Sequence, residues 1–241
     1  MSASHPLPAC DQINERFFEV LITGDRQAAR RLVGDLATSG YDAQRLLTDI
    51  YWPTYETIDR LHRADQLSTM AHHMATRLLR VLVDQTAAAM PRPQPNGRSV
   101  YVFCGATEAD EMGAQIAVDL LEGHGFKTYF AGGGVANDEI LSLINSDKPD
   151  VLLMFASAPS DLPNIRELID TLRTIAAAPN TQIAVGAGVF NRADGLAEEI
   201  GADIWASDPL EMAQVLIEEP QRRAVDDQRT VGKSRTKRRA A

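Results

Sequence analysis

Three prolines separated by single residues, in the stretch Pro91-Arg92-Pro93-Gln94-Pro95-Asn96-Gly97, limit what this chain can fold into more than any other feature. Each proline holds φ near about −65° and removes a backbone donor, so neither a helix nor a central strand can pass through. The stretch must be an extended, semi-rigid connection, and 241 residues leave room for a domain on each side of it. The expected organisation is residues 11–90, a linker over 91–97, a second domain over 98–219 and a tail over 220–241.

Before the prolines the pattern has the helical period. Ile13, Phe17, Val20 and Leu21 recur at three- and four-residue intervals and make one apolar stripe. Thr23-Gly24-Asp25 ends that helix, and a second runs from about Asp25 to Thr38 before Ser39-Gly40. Asp42 is placed to cap a third through Leu46, Leu47 and Ile50, which Pro53 should kink before it resumes through Ile58 and Leu61. After a pause near Ala64-Asp65, Ser68 is a candidate N-cap for a helix reaching Met90. A four-helix bundle results, its third helix kinked or split.

After the prolines the rhythm changes. Short apolar runs at Ser99–Cys104, Lys127–Phe130, Val151–Phe155, Gln182–Val185 and Asp203–Ala206 alternate with helical stretches at Asp110–Gly125, Asn137–Ser146, Leu162–Ala177, Ala193–Ile200 and Pro209–Glu218. Five strands alternating with five helices through short loops imply an α/β domain: a five-stranded parallel sheet covered on both faces, in flavodoxin-like order, with ligands at the carboxyl ends of the strands.

A formal net charge of −9 argues against broad nucleic-acid binding by the folded body, which needs cationic surface to displace counterions. The tail differs: Arg229 to Arg239 holds six basic residues and no acidic one. It should be disordered, either as a solvated appendage or as a contact for nucleic acid or an acidic protein. No run approaches the roughly 18–20 apolar residues of a membrane span, and Met1 to Cys10 lacks a signal-peptide pattern, so a cytoplasmic protein without membrane contact is expected. Cys10 and Cys104 carry no pairing motif. With no Walker loop, zinc spacing or nucleophile–base pair, classical hydrolase chemistry has no support.

The loops after the strands carry a resemblance. After the first strand the chain reads Gly105-Ala106-Thr107-Glu108-Ala109-Asp110-Glu111-Met112-Gly113, after the third Ser157-Ala158-Pro159, and after the fourth Gly186-Ala187-Gly188-Val189-Phe190-Asn191. With a helical bundle and a proline hinge in front, this resembles the cobalamin-binding modules of methionine synthase, corrinoid methyltransferase proteins and light-sensing regulators. In those families the three loops read Asp-x-His-x-x-Gly, Ser-x-Leu and Gly-Gly. The resemblance therefore implies a cofactor-binding set in which Glu108 stands at the aspartate, Asp110 at the cobalt-ligating histidine and Gly113 at the glycine. Ser157 keeps the serine, Gly186 the first glycine of the pair, and Ala187 replaces the second. A carboxylate is a harder, weaker donor to cobalt than imidazole, so the usual lower ligand is missing. Asp110 could equally cap the helix that follows it. Gly132-Gly133-Gly134, after the second strand, offers close backbone approach to a planar ligand at Gly133, or is only a flexible turn.

The bundle extends the comparison. Light-sensing relatives carry Trp-x9-Glu-His above the corrin ring; in that frame His62 stands at the tryptophan, His72 at the glutamate and His73 at the histidine. The resemblance implies a tetrapyrrole, cobalamin or as a lesser alternative haem, between bundle and sheet, with His62 and His72 contacting it and His73 as metal ligand. Adjacent helical residues point about 100° apart, so His72 and His73 cannot both face one metal.

The implied function is a sensory or regulatory module acting through a protein partner. The alternatives are a cofactor-free interaction scaffold and a corrinoid methyl carrier, the latter disfavoured by the missing histidine. A response-regulator reading fails because Phe155-Ala156-Ser157 stands where the phosphoacceptor aspartate should end the third strand.

Overall fold

A computed structural model describes residues 10–225 apart from 187, with the backbone alone at 108 and 109. Ala187, the side chain of Glu108 and the basic run Arg229–Arg239 thus lie outside the described residues. The chain divides into two compact units, at Gln94/Pro95.

The first unit is helical: α1 (Cys10–Thr23), α2 (Arg26–Thr38), α3 (Ala43–Arg45), a π-helical stretch Leu46–Tyr51, α4 (Trp52–Arg63) and α5 (Thr69–Ala87). Asp25, Asp42 and Ser68 each cap the helix that follows by accepting backbone N–H bonds. Its core holds Phe17 stacked on Tyr51 at 5.4 Å, with the buried Tyr51 hydroxyl 3.0 Å from Thr86 Oγ1. Burial pushes the Tyr51 hydroxyl pKa up.

Pro53 acts differently from the expected kink. It cannot donate to the Asp49 carbonyl, and the turn before it widens, with Trp52 N–H reaching back to Leu47 O. The Asp49 carbonyl instead accepts from Asn14 Nδ2 of α1 at 3.1 Å. The helix continues through the proline because a neighbouring side chain satisfies what the proline cannot.

The second unit alternates strand and helix: β1 (Ser99–Cys104), α6 (Glu108–Gly123), β2 (Lys127–Gly133), α7 (Asn137–Asp147), β3 (Val151–Phe155), α8 (Leu162–Ile175), β4 (Gln182–Gly186), α9 (Gly188–Asn191), α10 (Leu196–Ile200), β5 (Ile204–Ala206) and α11 (Pro209–Glu218). All strand pairs are parallel, in the order β2-β1-β3-β4-β5. α6 packs on α11, while α7, α8 and α10 share a core with Tyr101, Leu152, Met154, Ile183 and Val185. Helices therefore cover both faces, and β3 and β4 are buried along their whole length.

Two local expectations are corrected. The helix expected over Ala193–Ile200 begins only at Leu196, because Gly195 takes a left-handed φ of 76° and a separate turn, α9, precedes it. Residues 220–225, expected to belong to the disordered tail, are held against the sheet: Ala224 N–H donates to Asp203 Oδ1 at 2.6 Å, and Gln182 Nε2 donates to Arg222 O at 3.0 Å. No described helix is long and apolar enough to cross a membrane.

Candidate functional site

The strand order reverses direction between β1 and β3, and the loops leaving these two strands run to opposite faces of the sheet. Such a switch point opens a crevice at the carboxyl ends of the strands, where α/β sheets bind ligands. A cavity of about 240 Å³ lies there, lined by Cys104, Gly105 and Ala106 after β1, Gly134 after β2, and Asp161 and Asn164 at the start of α8.

Asp110 sits beside this crevice but is not the N-cap of α6. Thr107 is: its Oγ1 accepts from Asp110 N–H at 3.2 Å and donates to Asp110 Oδ2 at 2.6 Å. Asp110 thus meets the capping hydroxyl through both its N–H and its carboxylate, and it is fully buried, with Oδ1 unpartnered among the described residues. Gly105 explains how the carboxylate fits. A Cβ there would come within 2.3 Å of Asp110 Oδ2 and 2.8 Å of Asp161 Oδ2. Asp161 Oδ2 is also closed off from solvent and unpartnered. Burial, and then the nearby Asp110 carboxylate, raise the pKa of Asp161. Gly113 is buried in the second turn of α6.

At the end of β2 a bulge reshapes the rim. Val102 pairs with Phe130 but Phe103 pairs with Gly132, leaving Ala131 as the extra residue. Gly132 and Gly134 take φ of 77° with open space around them, whereas a Cβ on Gly133 would lie 2.4 Å from the Gly105 carbonyl. Gly133 is therefore engaged by the β1–α6 loop itself, and its two neighbours offer the open backbone.

At the other side of the rim, Ser157 is half-buried and its carbonyl accepts from Arg192 Nη2. Arg192 also lies against Gly188, whose Cβ would be 2.7 Å from Nη1. Gly186 is buried, with Phe155 and Met212 where a side chain would begin. Arg192 is the one basic residue in the described loops at the carboxyl ends of the strands.

The histidines lie in the helical unit. His62 and His72 stack with ring centroids 4.0 Å apart, and His62 Nδ1 lies 3.2 Å from Leu67 O. His72 is 8% exposed, whereas His73 is on the outside, flanked by the exposed Met70 and Met74. Among the described residues no three His, Cys, Asp or Glu side chains gather into a cluster. The structure therefore brings together Asp110 and Gly105 with Asp161, and Ser157 with Arg192. Asp161 and Arg192 were not singled out from the sequence, where each is one charged residue in a loop.

The B12 binding domain profile matches residues 98–213, and a second B12 binding domain profile matches residues 13–86. No curated protein matches the chain. Among solved structures, the monomethylamine corrinoid protein of Methanosarcina barkeri is similar in fold, with a TM-score of 0.77 at 16% identity over 87% of this chain and 99% of its own. A novel cobalamin-binding protein of Desulfitobacterium hafniense DCB-2 matches at a TM-score of 0.47 and 14% identity, over 88% of this chain and 98% of its own. A chain of the methanol:cobalamin methyltransferase complex of Methanosarcina barkeri matches at 0.46 and 14%, over 90% and 85%. With both units matched, the chain belongs to the cobalamin-binding domain family, and cobalamin is its cofactor.

Proposed function

We propose that the protein is a sensory or regulatory module that holds cobalamin without a protein ligand below the cobalt. The observation that carries this reading is the Thr107–Asp110 pair at the start of α6. The carboxylate standing where relatives place histidine is buried and bonded to Thr107. A buried oxygen donor of this kind does not fit the role of a lower imidazole.

Other features suit the rest of the cofactor, a broad ring with an anionic nucleotide tail. Gly132 and Gly134 leave backbone open to a flat ligand, and the crevice between the β1 and β3 ends offers depth. Arg192, anchored on the Ser157 carbonyl, is the cation suited to a phosphodiester. His73 is an exposed imidazole of the helical unit available to cobalt, beside the apolar Met70 and Met74. When bound, cobalamin would supply a metal centre whose ligation responds to light or oxidation state. A regulator needs only that such an exchange alter the preference between two protein arrangements, which a protein partner then reads. A methyl carrier is the weaker reading, because the histidine tied to changes in cobalt coordination is replaced.

One observation favours a second reading, a cofactor-free scaffold: at Gly186, Phe155 and Met212 approach within 3.0 and 3.3 Å of where a Cβ would stand, so the rim there packs on its own side chains. The two readings separate when the full chain is mixed with hydroxocobalamin, desalted and its visible spectrum recorded. Wild type and Asp110→Ala should both retain colour, and His73→Ala should shift or lose the band. A colourless wild type would support the scaffold. Colour lost in Asp110→Ala would restore a lower-face bond.

A further inference from the structure

We infer that the basic run over residues 229–239, together with the cationic end of the α/β unit it leaves from, is a contact for the phosphates of nucleic acid. The charge of the second unit is sorted along its sheet. Of the eight lysines and arginines in residues 95–225, Arg98, Lys127, Lys148, Arg173, Arg222 and Arg223 lie around the amino ends of the strands. Only Arg192 stands in the loops at the carboxyl ends, where the cofactor crevice opens. Residues 220–225 are pinned at the cationic end: Gln182, the first residue of β4, donates to the Glu219 and Arg222 carbonyls, and Arg223 donates to Asn180 O. Arg229 follows Val225 by four residues, at most about 14 Å of extended chain, so the run begins within reach of these cations.

Like charges are gathered at this end. Burial lowers the pKa of Arg98, Asp150 raises it, and the charge of Arg223 lowers it again, so the two guanidinium groups act on each other. The acids nearby hold partners of the protein's own: Asp150 accepts from Ser99 N–H, Asp203 from Arg173 and Ile183 N–H, and Glu219 from Arg222. The run itself carries four arginines and two lysines interleaved with Thr230, Ser234 and Thr236, and Val231 is its single apolar side chain. Guanidinium, ammonium and hydroxyl groups are the donors that hold phosphate oxygens. An acidic protein or a lipid surface would call for the aromatic or aliphatic anchors that this run lacks. Without these six cations the formal charge of −9 would be −15, so the rest of the chain repels a polyanion and contact is confined to this end.

The test titrates a fluorescent DNA duplex of about 20 base pairs and arbitrary sequence with the full chain, free of corrinoid, and follows anisotropy. Neutralising about six phosphates should make log affinity fall against log salt with a slope of about −5, so that binding at about 50 mM NaCl weakens roughly 10³-fold at about 200 mM. This slope is read on wild type and needs no variant. Changing Arg229, Lys233, Arg235, Lys237, Arg238 and Arg239 together to glutamine should abolish binding. Lys127→Gln with Lys148→Gln should keep binding and make the slope shallower by about 1–2. Polyglutamate, or vesicles of phosphatidylcholine and phosphatidylserine, should displace the DNA poorly at equal concentration of charge. The inference is overturned if wild type fails to bind at the lower salt, or if the sixfold variant binds as wild type does. Ready displacement by polyglutamate or by vesicles would overturn it too, in favour of an acidic protein or a membrane. An unchanged slope in the double variant would remove the folded end from the contact. No arm uses cobalamin, so the result is independent of the proposed function.

Discussion

At Asp161 burial and a neighbouring carboxylate act in the same direction, both raising its pKa. A carboxyl whose folded pKa is raised contributes most to stability below its unfolded value, about 3.9, and that contribution is lost as pH rises through the folded value. Asp161→Asn should therefore raise Tm by about 2–4 °C at pH 7 and have no effect near pH 3.5. Melting curves of the two proteins across that range check this, and an unchanged or lowered Tm at pH 7 would contradict it. Asp147, whose pKa Ser146 and Tyr101 lower by hydrogen bonding, pulls stability the other way but is common to both proteins. The spacing from Gly105 to Gly113 was enough to single out Asp110. Its partner was not legible, because Asp161 meets it only through the loop that follows β3. Nor did the spacing reveal the capping role of Thr107, since any of several residues before α6 could have served.

Among the elements, Asp203 shows how one buried side chain can join three segments. Its Oδ2 accepts from Ile183 N–H of β4 at 2.7 Å, and its Oδ1 accepts from Arg173 of α8 and from Ala224 N–H, both at 2.6 Å. Asp203→Ala would strand two backbone donors and leave the guanidinium of the partly exposed Arg173 with only the Gly201 carbonyl, 3.4 Å away. A loss of about 2–3 kcal/mol is expected in denaturant unfolding, and a loss below about 1 kcal/mol would contradict this account. These anchors explain why residues 220–225 are ordered although their composition read as tail: the order comes from acceptors on distant strands. The strands themselves were legible because β1, β3 and β4 are short apolar runs buried on both faces. The bulge at Ala131 and the left-handed Gly195 were not, since glycine permits such conformations without requiring them. Pro53 illustrates the same limit, because the donor that rescues its turn, Asn14, lies on another helix.

For the molecule as a whole, the break at the prolines and the switch from helical period to alternating strand and helix make the fold class readable in the sequence. The family's three loop motifs are altered in the same chain that keeps the fold, so the property to measure at this scale is how strongly the altered rim holds its cofactor. A ligand that binds only the folded state must stabilise it, by an amount that grows with the logarithm of free ligand above Kd. The most direct measurement is the thermal unfolding of the full chain across a series of cobalamin concentrations. The account predicts a Tm that climbs by about 3–6 °C at ten times Kd and keeps rising as cobalamin increases. A Tm that stays constant up to saturating cobalamin would contradict it.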